Sequence, residues 1–400
     1  MRTSLLAPRS AVIILSLCTL GAHAQTWVQK ASVPAPGRIL AAATGNSTKG
    51  YAGTGMISLG STSSSQSDVY EYDPATDVWT PLPDYPGGVQ QGMAAFTIGE
   101  RIFFGFGRAF IQPTNQVFEY LPATGVWAQR ASCPSPTAFQ KGFVIGDCFY
   151  IGPVDFDGLM YRYTATTDSW APIATFPGIY RGNQMLFVVD GKGYMGGGQS
   201  SFGATDLWYI YDPVADTWTE LAGLQPNSDQ SCATTINGIG YVYNVGGNGS
   251  QMYSFDPAVN SWEMLGSYAD IRTPNGNFFT IGNKGYHVFG EQHQGSAIVS
   301  INDFWEYTPG SASAIAEYAT NNVQVRMAAD GSAWLTGTEP MGVGNTLNVL
   351  DVDGRLLHTR SLPAGAALNV QLTAKELGAG LRILTLQGAQ QWAGRVVLAQ

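Results

Sequence analysis

One hairpin pattern recurs along the middle of the chain and constrains the fold more than any other feature. In each copy an aromatic residue precedes a tryptophan by seven positions, and Asp-Pro or a similar turn lies between them. The five pairs are Tyr72 and Trp79, Tyr120 and Trp127, Tyr163 and Trp170, Tyr211 and Trp218, and Phe255 and Trp262. Such a segment predicts two short strands around a type I turn. We expect the aromatic residue and the tryptophan on opposite arms of the hairpin, packed against the neighbouring repeat.

A second pair of strands precedes every hairpin. Segments such as FTIGERIFFGFG and FVVDGKGYMGGG contain a glycine-marked turn, an aromatic-rich strand and further glycines. Short strands repeated with a period of about 40 to 50 residues are typical of a propeller. Each repeat therefore predicts one four-stranded blade, in an all-β fold.

The two ends of the repeat region determine the number of blades. The sixth repeat continues through residues 304–309, but Ala314 stands where its tryptophan is expected, so its fourth strand is missing. Near the N-terminus, Thr26 and Trp27 match Thr217 and Trp218. We expect this N-terminal strand to complete the last blade, closing a ring of six and removing an open sheet edge.

The repeats resemble those of kelch proteins. Paired glycines at 197–198 and 246–247 precede the tyrosine and tryptophan, and the resemblance covers roughly residues 25–310. It implies a six-bladed kelch β-propeller. It does not imply one function, because kelch proteins include enzymes, adhesins and adaptors.

The N-terminal residues predict export. Arg2 and Arg9 precede a short apolar run at 11–20, and the small residues Ala22 and Ala24 come shortly before Gln25. This is the pattern of a signal peptide, residues 1–24, cleaved between Ala24 and Gln25. A retained anchor is the less favoured alternative, because a spanning helix needs about 20 apolar residues. We expect no transmembrane segment in the mature chain, and a secreted or cell-surface protein exported through the periplasm.

The C-terminal residues predict a second, smaller domain. Residues 311–322 have the composition of a linker, and 323–400 contain short alternating segments that suggest a small β-sandwich. Residues 351–355 (DVDGR), 377–384 (LGAGLRIL) and 395–398 (RVVL) are similar to the C-terminal sorting domain of the type IX secretion system of Bacteroidetes. The usual Pro-Asn-Pro opening and a tyrosine are absent. The resemblance implies recognition by the outer-membrane secretion machinery, and an accessory sandwich is the alternative.

Composition excludes several classes of function. The net charge of −9 becomes −11 without residues 1–24, so nucleic acid is not an expected partner. The odd number of mature cysteines allows at most one disulfide, and the alternative is three buried thiols. The few histidines form no metal-site pattern, so we expect neither a metal nor another cofactor, and a copper-radical oxidase is disfavoured.

The repeat register supplies a candidate ligand site. Arg38, Gln90 and Arg181 each lie 13 residues before the first aromatic residue of an inner strand pair, and Arg272 lies 14 before. Equivalent positions in a propeller fall on one ring, so these side chains could form a pocket for a carboxylate or sulfate at the channel mouth. The alternative is that each arginine bonds backbone carbonyls of a neighbouring blade.

Two functions remain open on the sequence. The first is an extracellular binding module without catalysis, whose ligand is a glycan, an acidic sugar or a protein. The second is a carbohydrate-active enzyme, because the chain also resembles the periplasmic sialic-acid mutarotases. That resemblance implies an acid/base pair beside arginines that hold a carboxylate, and Glu291 with His293 could supply the pair.

Overall fold

The structure is a computed structural model. It describes residues 25–59, 62–154, 156–178, 184–200, 203–204, 207–221, 232–246, 249–257, 261–268, 275–294, 297–309, 323–327, 333–340, 346–350, 355–364, 367–377, 382–387 and 394–398. Predictions for the signal peptide, Ala24, the linker 311–322, Arg181 and Arg272 lie outside these residues. The chain divides into two compact units, a first of Trp27–Thr308 and a second that contains Pro309–Gln400.

The strands of the first unit follow the repeats. The N-terminal strand is β1 (Thr26–Gln29). Blade 1 contains β2 (Ala42–Gly45), β3 (Gly50–Gly53), β4 (Met56–Leu59), β5 (Thr62–Ser65), β6 (Val69–Asp73) and β7 (Val78–Leu82). Blade 2 contains β8 (Ala94–Ile98), β9 (Arg101–Gly105), β10 (Arg108–Ala109), β11 (Gln112–Pro113), β12 (Val117–Leu121) and β13 (Val126–Arg130). Blade 3 contains β14 (Gly142–Ile145), β15 (Cys148–Ile151), β16 (Met160–Thr164) and β17 (Ser169–Ile173).

The remaining blades repeat this arrangement. Blade 4 contains β18 (Met185–Val189), β19 (Lys192–Gly196), β20 (Gln199–Ser200), β21 (Gly203–Ala204), β22 (Trp208–Asp212) and β23 (Thr217–Leu221). Blade 5 contains β24 (Cys232–Ile236), β25 (Ile239–Gly246), β26 (Gly249–Asp256) and β27 (Ser261–Tyr268). Blade 6 contains β28 (Asn277–Ile281), β29 (Lys284–Val288), β30 (Glu291–Gln294), β31 (Ala297–Ser300) and β32 (Phe304–Thr308).

Each blade is a four-stranded antiparallel sheet, so the predicted six-bladed propeller is confirmed. Blade 1 has the order β2-β3-β6-β7, and blades 2 to 5 have the equivalent order. The five repeated aromatic residues and tryptophans are direct cross-strand partners, as the hairpin pattern predicts. They contribute to aromatic clusters that fill the space between blades. Phe304 of blade 6, for example, contacts both Tyr72 and Trp79 of blade 1.

The N-terminal strand closes the ring, which confirms the predicted closure. Blade 6 has the order β1-β32-β29-β28, and the Lys30 amide donates to the Phe304 carbonyl at 2.9 Å. The ring centroids of Trp27 and Tyr307 are 4.9 Å apart at 44°, almost the geometry of Tyr72 and Trp79 within one repeat. Trp27 therefore takes the place of the tryptophan that the sixth repeat lacks.

A small additional sheet joins the first and last blades, and the repeat pattern gave no sign of it. Hairpin β4-β5 of blade 1 lies beside hairpin β30-β31 of blade 6, with Leu59 paired to Val299. The Ser300 hydroxyl is within hydrogen-bond distance of both the amide and the carbonyl of Ser58. The ring is thus joined at two places where its ends meet.

A repeated set of hydrogen bonds, which we call the Tyr-Asp-Trp clamp, fastens blades to the preceding interblade connection. In blade 3, the Tyr163 hydroxyl donates to Asp168 at 2.8 Å, and Asp168 also accepts the Ala131 amide at 2.9 Å. The Trp170 indole donates to the Ala131 carbonyl at 2.8 Å. One connecting residue is therefore held at both its amide and its carbonyl. Blades 1 and 4 have the same clamp, with members Tyr72, Asp77, Trp79 and Ala31, and Tyr211, Asp216, Trp218 and Ala174.

Blade 2 shows why the clamp needs its aspartate. Gly125 stands at the aspartate position, and the connecting residue bonded by Trp127 is Pro83. Proline has no amide hydrogen to donate, so an aspartate there would lack one of its two donors. The position has a positive φ in each case, 46° at Asp168 and 67° at Gly125, a conformation that aspartate and glycine tolerate better than most residues.

The second unit contains seven strands in two antiparallel sheets, in agreement with the predicted small β-sandwich. One sheet has the order β33 (Val323–Met327), β34 (Ala333–Pro340) and β37 (Ala367–Leu372). The other has the order β36 (Leu356–Ser361), β35 (Thr346–Leu350), β38 (Arg382–Gln387) and β39 (Gly394–Leu398). The single described helix, α1 (Ala374–Leu377), was not predicted. It begins with a capping box, in which Thr373 and Glu376 exchange hydrogen bonds.

We predict that Trp27→Ala lowers the free energy of unfolding by about 3 kcal/mol, because it removes a large ring from the closing interface. Val28→Ala, on the exposed face of the same strand, is the matched control and should change little. Deleting residues 25–36 should destabilise the propeller far more than deleting an equal length of surface loop. Chemical denaturation measures these differences, and equal stability of the Trp27 and Val28 variants would contradict closure by β1.

We also predict that Asp168→Gly costs about 2 kcal/mol, because the buried Tyr163 hydroxyl and the Ala131 amide lose their acceptor. Glycine retains the positive φ, as Gly125 does in blade 2. Adding Tyr163→Phe should restore part of the loss, since a hydroxyl is no longer buried without a partner. Additive effects in this double-mutant cycle would show that the two residues do not act together.

Candidate binding site at the channel mouth

Residues at one register position turn the chain into the innermost strands. Leu40, Gly92, Phe139 and Asn275 each precede an inner strand by two or three residues, and each has a φ between 54° and 65°. The Gly92 amide donates to the Leu40 carbonyl at 2.8 Å, and the Phe139 amide donates to the Gly92 carbonyl at 2.8 Å. A line of backbone hydrogen bonds thus runs from blade 1 to blade 3 around the channel mouth.

A pocket opens at this position. It is partly open to solvent, and the space in it that water can reach is about 30 Å³. Four blades contribute to its walls, and the lining residues are Leu40, Ala41, Gly92, Met93, Phe139, Gln140, Lys141, Asn275, Gly276 and Asn277. Amide groups and one ammonium are the polar side chains of this set. The pocket is therefore suited to a small polar or anionic group.

Lys141 gives the pocket its charge. Its ammonium lies near enough to Cys232 of blade 5 and His287 of blade 6 to interact with them electrostatically. Burial lowers the pKa of Lys141. Burial, and the nearby Lys141 charge, lower the pKa of His287 to about 3. Burial raises the pKa of Cys232 to about 12, although Lys141 opposes the rise. At neutral pH both His287 and Cys232 are therefore uncharged.

A buried amide beside this site has unused hydrogen-bonding capacity. Gln184 precedes β18 of blade 4 and occupies the ring position of Gln140 in blade 3. It is only 3% exposed, and neither its amide nitrogen nor its amide oxygen has a hydrogen-bond partner among the described residues. A buried amide in this state is rare in proteins and indicates a place for water or ligand.

Arg38 lies at the predicted register position, but its contacts are those of a brace. It is fully buried, and its guanidinium forms a bidentate ion pair with Asp68 at 2.6 and 3.0 Å. It also donates to the carbonyls of Thr54 and Pro36 and lies over the ring of Phe289 of blade 6. These contacts agree with the structural alternative that the sequence left open. A role of Arg38 in ligand binding stays a prediction.

The other predicted ligand residues differ in what the structure shows of them. Gln90 is buried, donates to the Gly87 carbonyl at 3.1 Å and has a side-chain oxygen without a partner. Arg181 and Arg272 lie outside the described residues, so their role stays a prediction. In blade 3 the equivalent position is occupied by Thr137, which is buried and was not among the predicted ligand residues.

The predicted acid/base pair is only partly described. The Glu291 carboxylate is 4% exposed and accepts a hydrogen bond from the Asn275 side chain at 3.2 Å. Since Asn275 lines the pocket, Glu291 stands directly behind its wall. His293 lies on β30, but its side chain is outside the described part. The histidine that does approach the pocket is His287.

Sequence reasoning missed Lys141, although the repeat register carried a signal for it. Alignment on the first hairpin turn of each blade places Lys141 with Ala94, Met185, Cys232 and Asn277. A lysine where these other repeats have uncharged residues marks a position with a separate role. Phe139 and Asn275 gave no comparable signal, because their function depends on backbone conformation.

Cysteines and metal-binding groups add no further site. Cys133, Cys148 and Cys232 are free thiols, and Cys133 and Cys232 are buried. Within the ranges given above, no three His, Cys, Asp or Glu residues are grouped as a metal ion would require. No helix in those ranges is long and apolar enough to cross a membrane.

Comparison with known proteins gives relatives of two kinds. Kelch-like protein 35 of Mus musculus is 27% identical over 210 residues, which is 51% of this chain and 35% of the mouse protein. The N-acetylneuraminate epimerase of Pasteurella multocida is 32% identical over 124 residues, 28% of this chain and 32% of that enzyme. The corresponding enzyme of Haemophilus influenzae is 30% identical over 155 residues, 35% of this chain and 41% of that enzyme. The chain thus matches less than half the length of each relative.

Among solved structures, one reported as "Structure of YjhT" has a TM-score of 0.54 and 18% sequence identity. The match covers 68% of this chain and 95% of the other, and at this identity it shows the fold alone. No family model matches the sequence. The repeats, the six closed blades and the kelch-like relatives together identify the first unit as a kelch-repeat β-propeller.

We predict that Arg38→Gln lowers the free energy of unfolding by about 3 kcal/mol, because it leaves a carboxylate without its buried partner. Burial alone would raise the pKa of Asp68, but the hydrogen bonds and charge of Arg38 outweigh it and lower the pKa. The pair therefore stabilises the fold above the unfolded-state pKa of aspartate, and this stability is lost as pH falls through the lowered pKa.

Denaturation at several pH values should show the difference between wild type and Arg38→Gln shrinking in acid. Lys49→Met, which breaks the surface pair of Lys49 with Asp73, is the control and should change stability little at any pH. A stable Arg38→Gln protein with weakened ligand binding would instead favour the predicted ligand role.

Proposed function

We propose that this protein is an extracellular binding module whose kelch propeller takes its ligand at the channel mouth. One observation supports this most strongly: the inner-strand starts of four blades converge on a small pocket with amide and ammonium groups. Propellers commonly use such converging positions, because each blade can vary its residue without disturbing the sheet. A glycan, an acidic sugar or a protein loop remains the expected class of ligand.

A carbohydrate-active enzyme is the second candidate. Two of the relatives are N-acetylneuraminate epimerases, and Glu291 is a buried carboxylate behind the pocket. The described groups favour binding over catalysis, because His287 has a pKa of about 3 and is a poor proton donor or acceptor at neutral pH.

Export is a separate part of the proposal. The apolar N-terminal segment and cleavage pattern support passage through the periplasm, and the C-terminal unit supports recognition by a type IX secretion machinery. The antiparallel hairpin β35-β36 flanks the DVDGR segment, as a sorting-domain turn requires. The residues of that turn, 351–354, lie outside the described part.

We predict that the mature chain, residues 25–400, binds a defined subset of sugars on a glycan array. Binding should persist when the protein is diluted, and it should be lost after the protein is thermally unfolded. If the mature chain binds no glycan and no protein ligand, the binding function is contradicted. Turnover of N-acetylneuraminate by the wild type, abolished in Glu291→Gln with an unchanged melting temperature, would establish the enzymatic candidate instead.

We also predict that a chain lacking residues 323–400 accumulates in the periplasm with a folded propeller, because the two units are separately compact. Cell fractionation of the native host, with protease resistance as the folding test, measures this. Normal surface delivery of the truncated chain would show that the C-terminal unit is not a sorting signal.

A further inference from the structure

Most positive charges on the propeller are neutralised. Ten lysines and arginines of the first unit are among the described residues, and seven have a carboxylate within 4.0 Å. The chain as a whole is acidic, with 29 Asp and Glu against 20 Lys and Arg. Carboxylates are therefore plentiful, and a cation without one is unusual here.

The three remaining cations are Arg108, Lys141 and Arg162, and two of them lie at the channel mouth. Lys141 lines the pocket, and the guanidinium of Arg108 lies 4.5 Å from the ring centroid of Phe139, another lining residue. The Nε of Arg108 is buried and has no hydrogen-bond partner within the described part of the chain. Arg162 lies elsewhere on blade 3, beside Tyr150.

Lys141 and Arg108 are both half-buried, and the Nε of Arg108 has no contact with solvent. Neither forms an ion pair among the described residues, so an anionic ligand would stabilise both. The wall between them, formed by Phe139 and Gln140, contains no carboxylate. Gln184, at the neighbouring ring position, adds an amide with both groups unused. These observations agree in pointing to an anion as the missing partner.

We propose that Lys141 binds a carboxylate group of the ligand directly, and that Arg108 reinforces this charge from behind Phe139. This inference rests on the proposed function and specifies its site. Among the ligands of the proposed function, an acidic sugar carries such an anion, and its carboxylate is the group that we expect at Lys141.

The protonation of Lys141 gives a second signature. Burial lowers its pKa, and a bound carboxylate must raise it, because an opposite charge favours the ammonium form. Affinity should therefore fall as pH rises through the pKa of free Lys141. Among the neighbours, His287 with a pKa of about 3 and Cys232 with a pKa of about 12 do not titrate near neutrality. The Glu291 carboxylate accepts a hydrogen bond from the side chain of Asn275, which lines the pocket.

The test is calorimetric titration of acetate and D-glucuronate into the mature chain, with D-glucose and sulfate as comparison ligands. Lys141→Met introduces the residue that blade 4 has at this position, Met185, and should weaken carboxylate binding at least about tenfold. Arg108→Gln should weaken it less. Arg162→Gln removes the same charge away from the pocket and should leave affinity unchanged, with melting curves confirming that all variants fold.

Unchanged carboxylate affinity in Lys141→Met, or an equal loss in Arg162→Gln, would overturn the assignment. So would sulfate binding as tightly as acetate, or no saturable binding of either carboxylate. The pH dependence should be present in the wild type and absent in Lys141→Met. If glycan-array binding persists in Lys141→Met while this test fails, the binding function stands and only the site is wrong.

Discussion

Hydrogen bonds between a blade and the connection before it, complete in blades 1, 3 and 4, are the constraint on which the propeller depends. A propeller blade presents a flat aromatic face to its neighbour, and aromatic packing alone allows two sheets to slide. The Tyr-Asp-Trp clamp removes this freedom, because Trp170 and Asp168 hold the carbonyl and amide of Ala131 from opposite sides. The bonds are directional and lie among buried rings, where an unmade hydrogen bond is costly.

The clamp also shifts the pKa values of its own aspartate and tyrosine. Burial would raise the pKa of Asp77, but the bonds from Tyr72 and Ala31 and the nearby Lys30 charge outweigh it and lower the pKa. Burial, together with the contact to Asp77, raises the pKa of Tyr72. The clamp is therefore ionised and intact over the whole neutral range. The charge of its aspartate is used within the scaffold, as are those of the ion pairs. Among the described residues, Lys141 and Arg108 at the channel mouth form no ion pair.

The fold was accessible from the sequence because its determinants are local and repeated. A tryptophan seven residues after an aromatic residue can be recognised without a structure, and the missing sixth copy led directly to Trp27. The clamp could be inferred only afterwards, since it joins residues about 40 positions apart, such as Ala131 and Trp170. In blade 2, Gly125 replaces the aspartate of the clamp, and Pro83 replaces the residue whose amide that aspartate would bind. The link between the two replacements becomes visible only when the structure shows that Trp127 bonds Pro83.

The candidate site was less predictable, for a physical reason. Arginines at strand starts can serve a ligand or the scaffold, and only contacts distinguish the two. Arg38 is occupied by Asp68 and two carbonyls, whereas Lys141, four register positions further along, has no carboxylate partner among the described residues. Spacing cannot reveal whether a charge is neutralised.

A crystal structure of the mature chain grown with D-glucuronate tests this account most directly. The account predicts the carboxylate within hydrogen-bond distance of the Lys141 ammonium, with the blades and their clamps unchanged. Density for the sugar only elsewhere on the propeller, or a Lys141 side chain paired with a carboxylate of the protein itself, would contradict it.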